Sequence, residues 1–386
     1  MITREIEPEL LRLAATYPVL TVTGPRQSGK TTLCRKLFPD HAYRSLEDPD
    51  IRAWADKDPR AFIDGHEPGL VIDEAQRVPK LFSYLQTRVD EDRRPGRFIV
   101  TGSAQFQLLE TVAQSLAGRT ALASLLPLTV NELKGAGIKP GLDETLLRGF
   151  YPQAYHEGIV PSELLAFYVA TYLERDVRQL VNVRDLAQFQ TFLRLCAGRT
   201  GQILNIASLA RDAGVSHPTA QAWLSILETS CVIFFVRPYL ANVNKRLTKS
   251  PKMHFWDVGL ASHLLGIRTA DQVTFHPLRG ALFESMVVSE MAKQFTNRIR
   301  TPHLYHYRDA ASNEVDLIAE DGIDLIPIEI KSSKTLPDPR FRGLGAFAKA
   351  EPRAAKATVV FGGDESMSLA GIDVRSWRDL SSLLLN

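Results

Sequence analysis

Three short apolar runs near the start of the chain each end in polar positions. They are "PVLTVTG" (18–24), "GLVIDEAQ" (69–76) and "RFIVTGSAQ" (97–105). Continuous apolar runs of this length, bounded by turn residues, are typical of strands that are buried on both faces. The first run is followed at once by "KTTLCRKLF", which predicts the start of a helix. Strands followed by helices predict an α/β fold for this part of the chain.

Helical patterning dominates the middle of the chain. The Gly- and Pro-rich segment 134–144 predicts a loop, and "SELLAFYVATYLERDVRQL" (162–180) then has the apolar spacing of a helix. Residues 204–239 predict a helix, a Gly-Val-Ser turn, a second helix and a strand. This order is that of a helix-turn-helix, and the strand favours a winged form. The positions that this arrangement would bury are Leu209, Ala210, Gly214, Val215, Ala220, Trp223 and Leu227.

The second of these helices, "HPTAQAWLSILET", carries no Lys or Arg. Helices that read bases normally offer Arg, Asn or Gln to the major groove, and only His217 and Gln221 are available here. Sequence-specific readout is therefore disfavoured. A phosphate-contacting wing could form from four basic residues that follow, Lys245, Arg246, Lys249 and Lys252. The alternative is a winged helix used only for packing beside a solvated basic loop, so non-specific DNA binding stays open.

Apolar and polar residues alternate in the final third of the chain. "GALFESMVVSEMAKQF" (280–295) predicts an amphipathic helix that carries Glu284 and Glu290. The predicted strands that follow are "HLYHYRD" (303–309), "NEVDLIAE" (313–320) and "IDLIPIEIKSS" (323–333). A helix followed by several strands predicts a separate α/β unit.

A recognisable sequence motif follows the first predicted strand. Residues 24–31, "GPRQSGKT", match the pattern G-x-x-x-x-G-K-[ST]. The glycines allow a tight turn whose backbone N–H groups point into one concavity at a helix N-terminus, and such a concavity binds phosphate. Lys30 can then reach the β- and γ-phosphates of ATP, and the Thr31 hydroxyl can ligate Mg²⁺. The predicted nucleotide-binding residues are Gly24, Pro25, Arg26, Gln27, Ser28, Gly29, Lys30, Thr31 and Thr32.

The second and third strands should carry the other catalytic groups of a P-loop ATPase. Asp73 is predicted to hold the metal through water, and Glu74 to polarise the attacking water as a general base. Thr101 or Ser103 could position that water, although a simple strand-end turn needs the same residue types. Arg119 could sense the γ-phosphate in its own chain or in a neighbour's, the alternative being an ordinary surface arginine.

Several blocks resemble those of a prokaryotic AAA+-type P-loop ATPase family whose members carry a fused C-terminal domain of uncharacterised function. The blocks are "GPRQSGKTTL", "SLEDPDIRAWADKDPRAFID", "VIDEAQRVPKLFSYLQ", "TGSAQF" and "LAGR" followed by "LLPLT". The resemblance continues through most of the chain. It implies a nucleotide-binding core and says little about the biological role.

The C-terminal strands carry a second candidate site. Asp316 is followed by Glu329, with Lys331 two residues further on, which resembles the D-…-E-x-K spacing of the PD-(D/E)XK nuclease fold. In that fold Asp and Glu from adjacent strands hold Mg²⁺, a helix Glu (here Glu284) assists, and the Lys helps to orient water. Glu329 and Lys331 share one strand face because side chains alternate. We expect Asp316 and Glu329 to bind metal, while nuclease activity stays open because such domains are often kept as binding or structural modules.

Composition narrows the class of protein only a little. The chain has 386 residues, enough for two or three domains, and its 45% apolar and 23% charged residues are typical of a soluble globular protein. The formal net charge of +2 does not by itself indicate a nucleic-acid binder. Three scattered cysteines disfavour a disulfide framework and a zinc ribbon. With no signal-peptide core or membrane-spanning run, a cytoplasmic location is expected.

These observations predict an α/β protein with a P-loop ATPase domain (1–133), a helical and winged-helix region (145–252) and a restriction-endonuclease-like domain (253–386). The favoured function is Mg²⁺-dependent ATP binding and hydrolysis coupled to a conformational switch, with nucleic acid as its target. One alternative is an ATP-gated, metal-dependent DNA nuclease. The other is a regulatory scaffold whose ATP state controls a protein partner. The oligomeric state stays open.

Overall fold

The computed structural model describes residues 1–102, 112, 114–173, 186–240, 250–336, 341–369 and 372–383. In its N-terminal part, strands alternate with helices as the apolar runs predict. The strands are β1 (Val19–Thr23), β2 (Ala42–Ser45), β3 (Leu70–Asp73), β4 (Phe98–Thr101) and β5 (Thr120–Ser124). They form one parallel sheet in the order β2-β3-β4-β1-β5.

Helices cover both faces of this sheet because its central strands carry apolar side chains on both sides. β1, β3 and β4 are buried along their whole length. Leu20 and Ile99 belong to the apolar cluster on one face, and Ile72 and Val100 to the cluster on the other. The helices of this part are α1 (Glu7–Ala14), α2 (Lys30–Leu37), α3 (Pro49–Lys57), α4 (Pro59–Ile63), α5 (Leu81–Glu91) and α6 (Val130–Gly135).

The remaining chain builds a second sheet in the order β13-β14-β12-β11-β10-β9-β7-β8-β6. Its strands are β6 (Gln202–Ile203), β7 (Ile233–Pro238), β8 (Lys252–Phe255), β9 (Leu304–Arg308), β10 (Glu314–Asp321), β11 (Asp324–Lys331), β12 (Thr358–Phe361), β13 (Met367–Leu369) and β14 (Ile372–Ser376). The helices are α7 (Leu142–Arg148), α8 (Pro161–Tyr168), α9 (Leu186–Ala197), α10 (Ile206–Asp212), α11 (His217–Thr229), α12 (Val258–Leu264), α13 (Ala270–Phe275), α14 (Arg279–Asn297) and α15 (Arg342–Ala350). No described helix is both long and apolar enough to cross a membrane.

The middle region has the order α9-β6-α10-α11-β7-β8, in which β8 pairs antiparallel with both β7 and β6. Asn205 caps α10 through the Ser208 N–H, and Ser216 caps α11 through the Thr219 N–H. The predicted core positions in the two helices are buried. Gly214 is exposed instead, because it follows α10 at the surface in the left-handed conformation (φ +69°).

The middle and C-terminal regions share one sheet and one core. β7 pairs in parallel with β9, where Arg237 lies opposite Tyr305, and one apolar cluster extends from Leu128 to Leu380. The predicted boundary between residues 252 and 253 falls inside β8 and is wrong. Alternating strand patterns show where strands lie but not which strands become neighbours.

Buried charges on α14 connect this shared core to the N-terminal domain. Lys293 Nζ, fully buried, donates to the Leu128 carbonyl and to Glu290 Oε1, both at 2.8 Å. Glu290 Oε2 accepts from the Val130 N–H at 2.8 Å. Since both charges have partners, this buried pair fixes α14 against the segment that leads into α6.

Candidate nucleotide-binding site

The predicted phosphate loop connects β1 to α2 at the edge where the parallel strands end. Gly24 (φ +138°) and Gly29 (φ +92°) adopt conformations that favour glycine. A Cβ atom on Gly24 would lie 2.2 Å from the Leu125 carbonyl oxygen, so the close approach of the two segments requires glycine there. Two side-chain atoms of the loop, Gln27 Oε1 and Ser28 Oγ, are buried and have no hydrogen-bond partner within the described part of the chain.

Lys30 is the first residue of α2, and its side chain folds back over the loop. Its Nζ donates to the carbonyl oxygens of Gly24 at 3.0 Å and Pro25 at 2.8 Å, and the side chain is almost wholly buried. Burial lowers the pKa of Lys30, whereas the nearby charges of Glu74 and Asp73 act to raise it. The loop therefore holds a desolvated cation at its centre.

Asp73, at the end of β3, accepts hydrogen bonds from three hydroxyl groups. Thr31 Oγ1 lies 2.9 Å and the Tyr43 hydroxyl 2.8 Å from Asp73 Oδ2, and Thr101 Oγ1 donates to Oδ1. β3 lies between β2 and β4, so its last residue meets side chains from both neighbours. Burial and the hydrogen bond to Asp73 raise the pKa of Tyr43 to about 12, and Tyr43 remains a donor.

Thr101 contacts Asp73, so its hydroxyl orients this carboxylate. This hydrogen bond to Asp73 gives no support to the predicted role of Thr101 in positioning water. Ser103, the other candidate for that role, lies outside the described residues. Tyr43 was not predicted, because "AYRS" carries no motif and only the sheet order brings it to Asp73.

Glu74 follows Asp73 and has a left-handed backbone (φ +54°). Non-glycine residues in this region are uncommon and cluster at functional sites. Its half-buried carboxylate accepts a hydrogen bond from Gln76 Nε2. The three hydroxyl groups described above donate to Asp73 and not to Glu74. The two neighbouring carboxylates therefore have different hydrogen-bond partners.

Arg119 lies at the opposite edge of the sheet. It precedes β5, whose first residue pairs with Val19 at the start of β1, whereas the phosphate loop follows the end of β1. Its Nε and Nη2 donate to the two carboxylate oxygens of Asp90 at 2.7 and 2.8 Å. This position does not favour contact with a γ-phosphate in the same chain, whereas contact in a neighbouring chain and an ordinary surface arginine both stay as predicted alternatives.

A cavity of about 500 Å³ opens beside the loop. The residues that line it include Ile2, Ser28, Thr32, Leu128, Tyr155 and His156. Arg4 supports one wall, because its buried guanidinium donates to the Ser28 carbonyl at 2.9 Å and to Glu132 Oε2 at 3.0 Å. Sequence motifs gave no signal for Arg4, which lies far from Glu132 along the chain.

The predicted C-terminal residues also come together. Lys331 Nζ lies 2.6 Å from Glu329 Oε1 and 3.7 Å from Asp316 Oδ2. Glu284 on α14 is bound by Lys252 Nζ at 3.0 Å. Lys252 was predicted to contact phosphates from a wing, but it is buried in this cluster. The other predicted wing residues, Lys245, Arg246 and Lys249, lie outside the described residues.

Among the described residues, no group of three or more His, Cys, Asp or Glu side chains could hold a metal ion. The metal site predicted at Asp316 and Glu329 is therefore wrong for this arrangement. Its carboxylates are close, but lysine ammonium groups are their partners. The Asp73 site is of another kind, since one carboxylate and the Thr31 hydroxyl would share a metal with phosphate oxygens.

Family models divide the chain into three parts. A model described as AAA domain matches residues 16–134. Two domains of unknown function, DUF8612 and DUF4143, match residues 139–271 and 279–380. The parallel sheet, the glycine-rich loop and the acidic end of β3 agree with the first match. The N-terminal part is an AAA-type P-loop domain.

Two mycobacterial proteins are similar to this chain along nearly its whole length. The uncharacterized proteins Rv2008c of Mycobacterium tuberculosis and Mb2031c of Mycobacterium bovis are both 32% identical over 373 residues, covering 95% of this chain and 81% of the relative. The Walker-type ATPase PABY2304 of Pyrococcus abyssi is 16% identical and covers 68% of this chain and 96% of its own, with a TM-score of 0.46. The Thermotoga maritima branch migration motor RuvB is 18% identical, and the match covers 60% of this chain and 89% of the RuvB chain, with a TM-score of 0.31. This chain belongs to the family of the two mycobacterial proteins.

Proposed function

We propose that this protein binds ATP with Mg²⁺, hydrolyses it, and uses the nucleotide state to switch its conformation. The observation that carries the proposal is the placement of Lys30, Thr31 and Asp73 at one sheet edge, around a loop with buried polar atoms that have no partner there. Buried polar groups are normally paired, so these loop atoms favour a polar ligand.

Lys30 would exchange neutral partners for charged ones when nucleotide binds. Its ammonium is held by two neutral backbone carbonyls, whereas phosphate oxygens carry negative charge and would add Coulomb attraction to the hydrogen bonds. Phosphate oxygens in the concavity would therefore draw Lys30 away from Gly24 and Pro25. The buried position makes its charge effective, because little water screens it.

The Thr31 hydroxyl would ligate Mg²⁺ directly, and Asp73 would hold the ion through water. Their oxygens already lie 2.9 Å apart, and hydroxyl and carboxylate oxygens are ligands that this hard cation accepts. When bound, Mg²⁺ would neutralise charge on the terminal phosphates. Tyr43 and Thr101 would keep the Asp73 carboxylate oriented, while Glu74 would accept the proton of the attacking water.

The neighbouring cavity would hold the base and sugar. Its volume of about 500 Å³ suits a small organic ligand, and Ile2, Leu128 and Tyr155 offer apolar surface for a base. Leu128 and Tyr155 belong to the core of the larger unit, whereas Ser28 belongs to the phosphate loop. A bound nucleotide would thus contact both parts, which provides the coupling that a switch needs.

Nucleic acid is the proposed target of this switch. We interpret the order α9-β6-α10-α11-β7-β8 as a winged helix, with His217 and Gln221 exposed on α11. With no Lys or Arg on this helix, contact would be non-specific.

ATP turnover should be measured with and without duplex DNA, alongside DNA cleavage in Mg²⁺ and Mn²⁺. We expect turnover that DNA stimulates, without cleavage. Turnover that DNA leaves unchanged would contradict the nucleic-acid target and favour the regulatory scaffold with a protein partner. Metal-dependent cleavage would favour the gated nuclease.

A further inference from the structure

A second cavity, of about 420 Å³, opens in the middle region and shares no described lining residue with the cavity beside the phosphate loop. It lies among α8, α9 and the C-terminal end of α12. Leu193 and Leu264 belong to its apolar lining, and three basic side chains, Arg194, His263 and Arg268, also line it. The cavity therefore combines apolar surface with two guanidinium groups and an imidazole.

Arg268 fixes the hydrogen-bonding state of His263. Its Nη1 donates to the carbonyl oxygens of His263 at 3.1 Å and Ile267 at 3.2 Å, and to His263 Nδ1 at 3.3 Å. A guanidinium has no acceptor, so Nδ1 accepts, and the neutral imidazole carries its proton on Nε2. This Nε2–H donates to no group within the described part of the chain. His263 therefore brings a donor without a protein partner to the cavity.

The two arginines have no carboxylate to balance them among the residues that the structure describes. Neither Arg194 nor Arg268 forms an ion pair there, and both are exposed. Burial, and then the charges of Arg268 and Arg194, lower the pKa of His263 to about 4. Both guanidinium groups therefore lie near this ring, which is neutral at pH 7. Because two positive charges at one cavity repel each other, an anion bound near both would be stabilised.

We propose that this cavity binds a small organic phosphate, whose phosphate group pairs with Arg194 and Arg268 and whose body lies on the apolar lining. A phosphate monoester carries a charge of about −1.5 to −2 at pH 7, which matches two guanidinium groups, whereas a carboxylate supplies only one charge. Guanidinium groups donate paired hydrogen bonds to phosphate oxygens, and the His263 Nε2–H adds a further donor. The volume suits a small ligand. The site goes beyond the proposed ATP chemistry and does not depend on it.

Phenyl phosphate is the probe for this site, because it joins a phosphate group to an apolar ring. Its binding is followed by nuclear magnetic resonance at pH 7.5 on the full-length protein labelled with ¹⁵N-histidine. The His263 signal is identified by its loss in His263→Gln. We expect phenyl phosphate to shift this signal saturably. Arg194→Met should weaken the apparent affinity by about tenfold or more, because it removes a charge-assisted contact with the phosphate.

Control variants separate this cavity from general charge effects and from the phosphate loop. Arg211→Met removes an exposed arginine of α10 that does not line the cavity, and it should bind the probe as the parent does. Lys30→Ala should keep the response at His263. Arg194 forms no hydrogen bond or ion pair within the described ranges, so Arg194→Met should stay folded, which circular dichroism checks. Arg268→Gln is a second variant with the same expected loss of affinity.

Four results would overturn the proposal. The first is a His263 signal that millimolar phenyl phosphate leaves unmoved. The second is equal affinity for the probe in the parent, Arg194→Met and Arg268→Gln. The third is benzoate that binds as tightly as phenyl phosphate, which would assign the cavity to carboxylates. The fourth is duplex DNA that displaces phenyl phosphate from the cavity, which would assign it to backbone phosphates.

Discussion

At the scale of single residues, one carboxylate organises the nucleotide site. The Asp73 carboxylate accepts hydrogen bonds from the hydroxyl groups of Thr31, Tyr43 and Thr101, and Lys30 is buried nearby. These contacts explain why the end of β3 is polar although the strand itself is fully buried. Glu74, the next residue, takes no part in these contacts and accepts a hydrogen bond from Gln76 instead.

Glu74→Gln should separate binding from chemistry. The amide keeps the shape of the side chain but cannot accept a proton from water, so turnover should fall by about 10²–10⁴-fold. ATP affinity should change little. Glu47→Gln, at an exposed glutamate in the same domain, is the matched control and should keep the parent's turnover. Loss of ATP binding together with unfolding would show that Glu74 is structural.

Arg4→Met should destabilise the protein. The change leaves Glu132 buried without its cation, and breaking a buried pair costs about 3–5 kcal/mol. Denaturant unfolding measures the loss in free energy. Arg12→Met removes an exposed pair with Glu9 and should have a much smaller effect. Equal effects of the two changes would contradict the supporting role given to Arg4.

Sequence motifs predicted those residues of this site that are neighbours along the chain. The loop from Gly24 to Thr31 and the acidic pair Asp73-Glu74 at the end of β3 are each contiguous in sequence, so short patterns contain them. Arg4 and Tyr43 reach the site only because the chain folds. The alternatives for Arg119 stayed open for the same reason, since its position depends on which end of β5 it occupies.

At the scale of elements, α14 shows how an amphipathic pattern can mislead. Its sequence predicts an amphipathic helix, with one polar face, yet the helix is buried along most of its length. Glu290 and Lys293 satisfy each other there, and Glu284 is paired with Lys252. The pattern gave the helix correctly, but charged residues can pair inside the protein, and sequence spacing alone does not reveal the partner.

The unfolding free energy should depend on Glu284 between pH 4.5 and 7. Its folded-state pKa, about 7, is raised by burial above the ordinary 4.5, so its stabilising effect is present below pH 4.5 and is lost as the pH rises to 7. Glu284→Gln should therefore reduce the fall in stability over this window, by at most about 3 kcal/mol. Glu365→Gln, at an exposed site, should leave the pH profile of the parent unchanged. A Glu284→Gln profile identical to the parent's would contradict this burial argument.

At the scale of the whole molecule, the chain has two units rather than three. The N-terminal sheet is separate, whereas the middle and C-terminal regions share the larger sheet through β7 and β9. Local patterns predicted β7, β9, β10 and β11 among its strands and α8, α10, α11 and α14 among its helices. They could not predict this pairing, because contacts between β7 and β9 join residues that are far apart in sequence.

A fragment that begins at residue 253 should not fold independently. It lacks β7, which pairs with β9, and much of the shared apolar core. A fragment of residues 139–386 keeps both and should give a cooperative thermal transition by circular dichroism. A cooperative transition in the shorter fragment would contradict the single larger unit.

The central claim is that the loop between β1 and α2 binds ATP for hydrolysis, and Lys30→Ala tests it most directly. ATP binding by calorimetry and phosphate release should be compared in the parent, Lys30→Ala and Lys36→Ala, the last being an exposed lysine on the same helix. The account predicts that the parent and Lys36→Ala hydrolyse ATP alike, while Lys30→Ala loses affinity and about 10²-fold or more in turnover. A folded Lys30→Ala that binds and hydrolyses ATP as the parent does would contradict it.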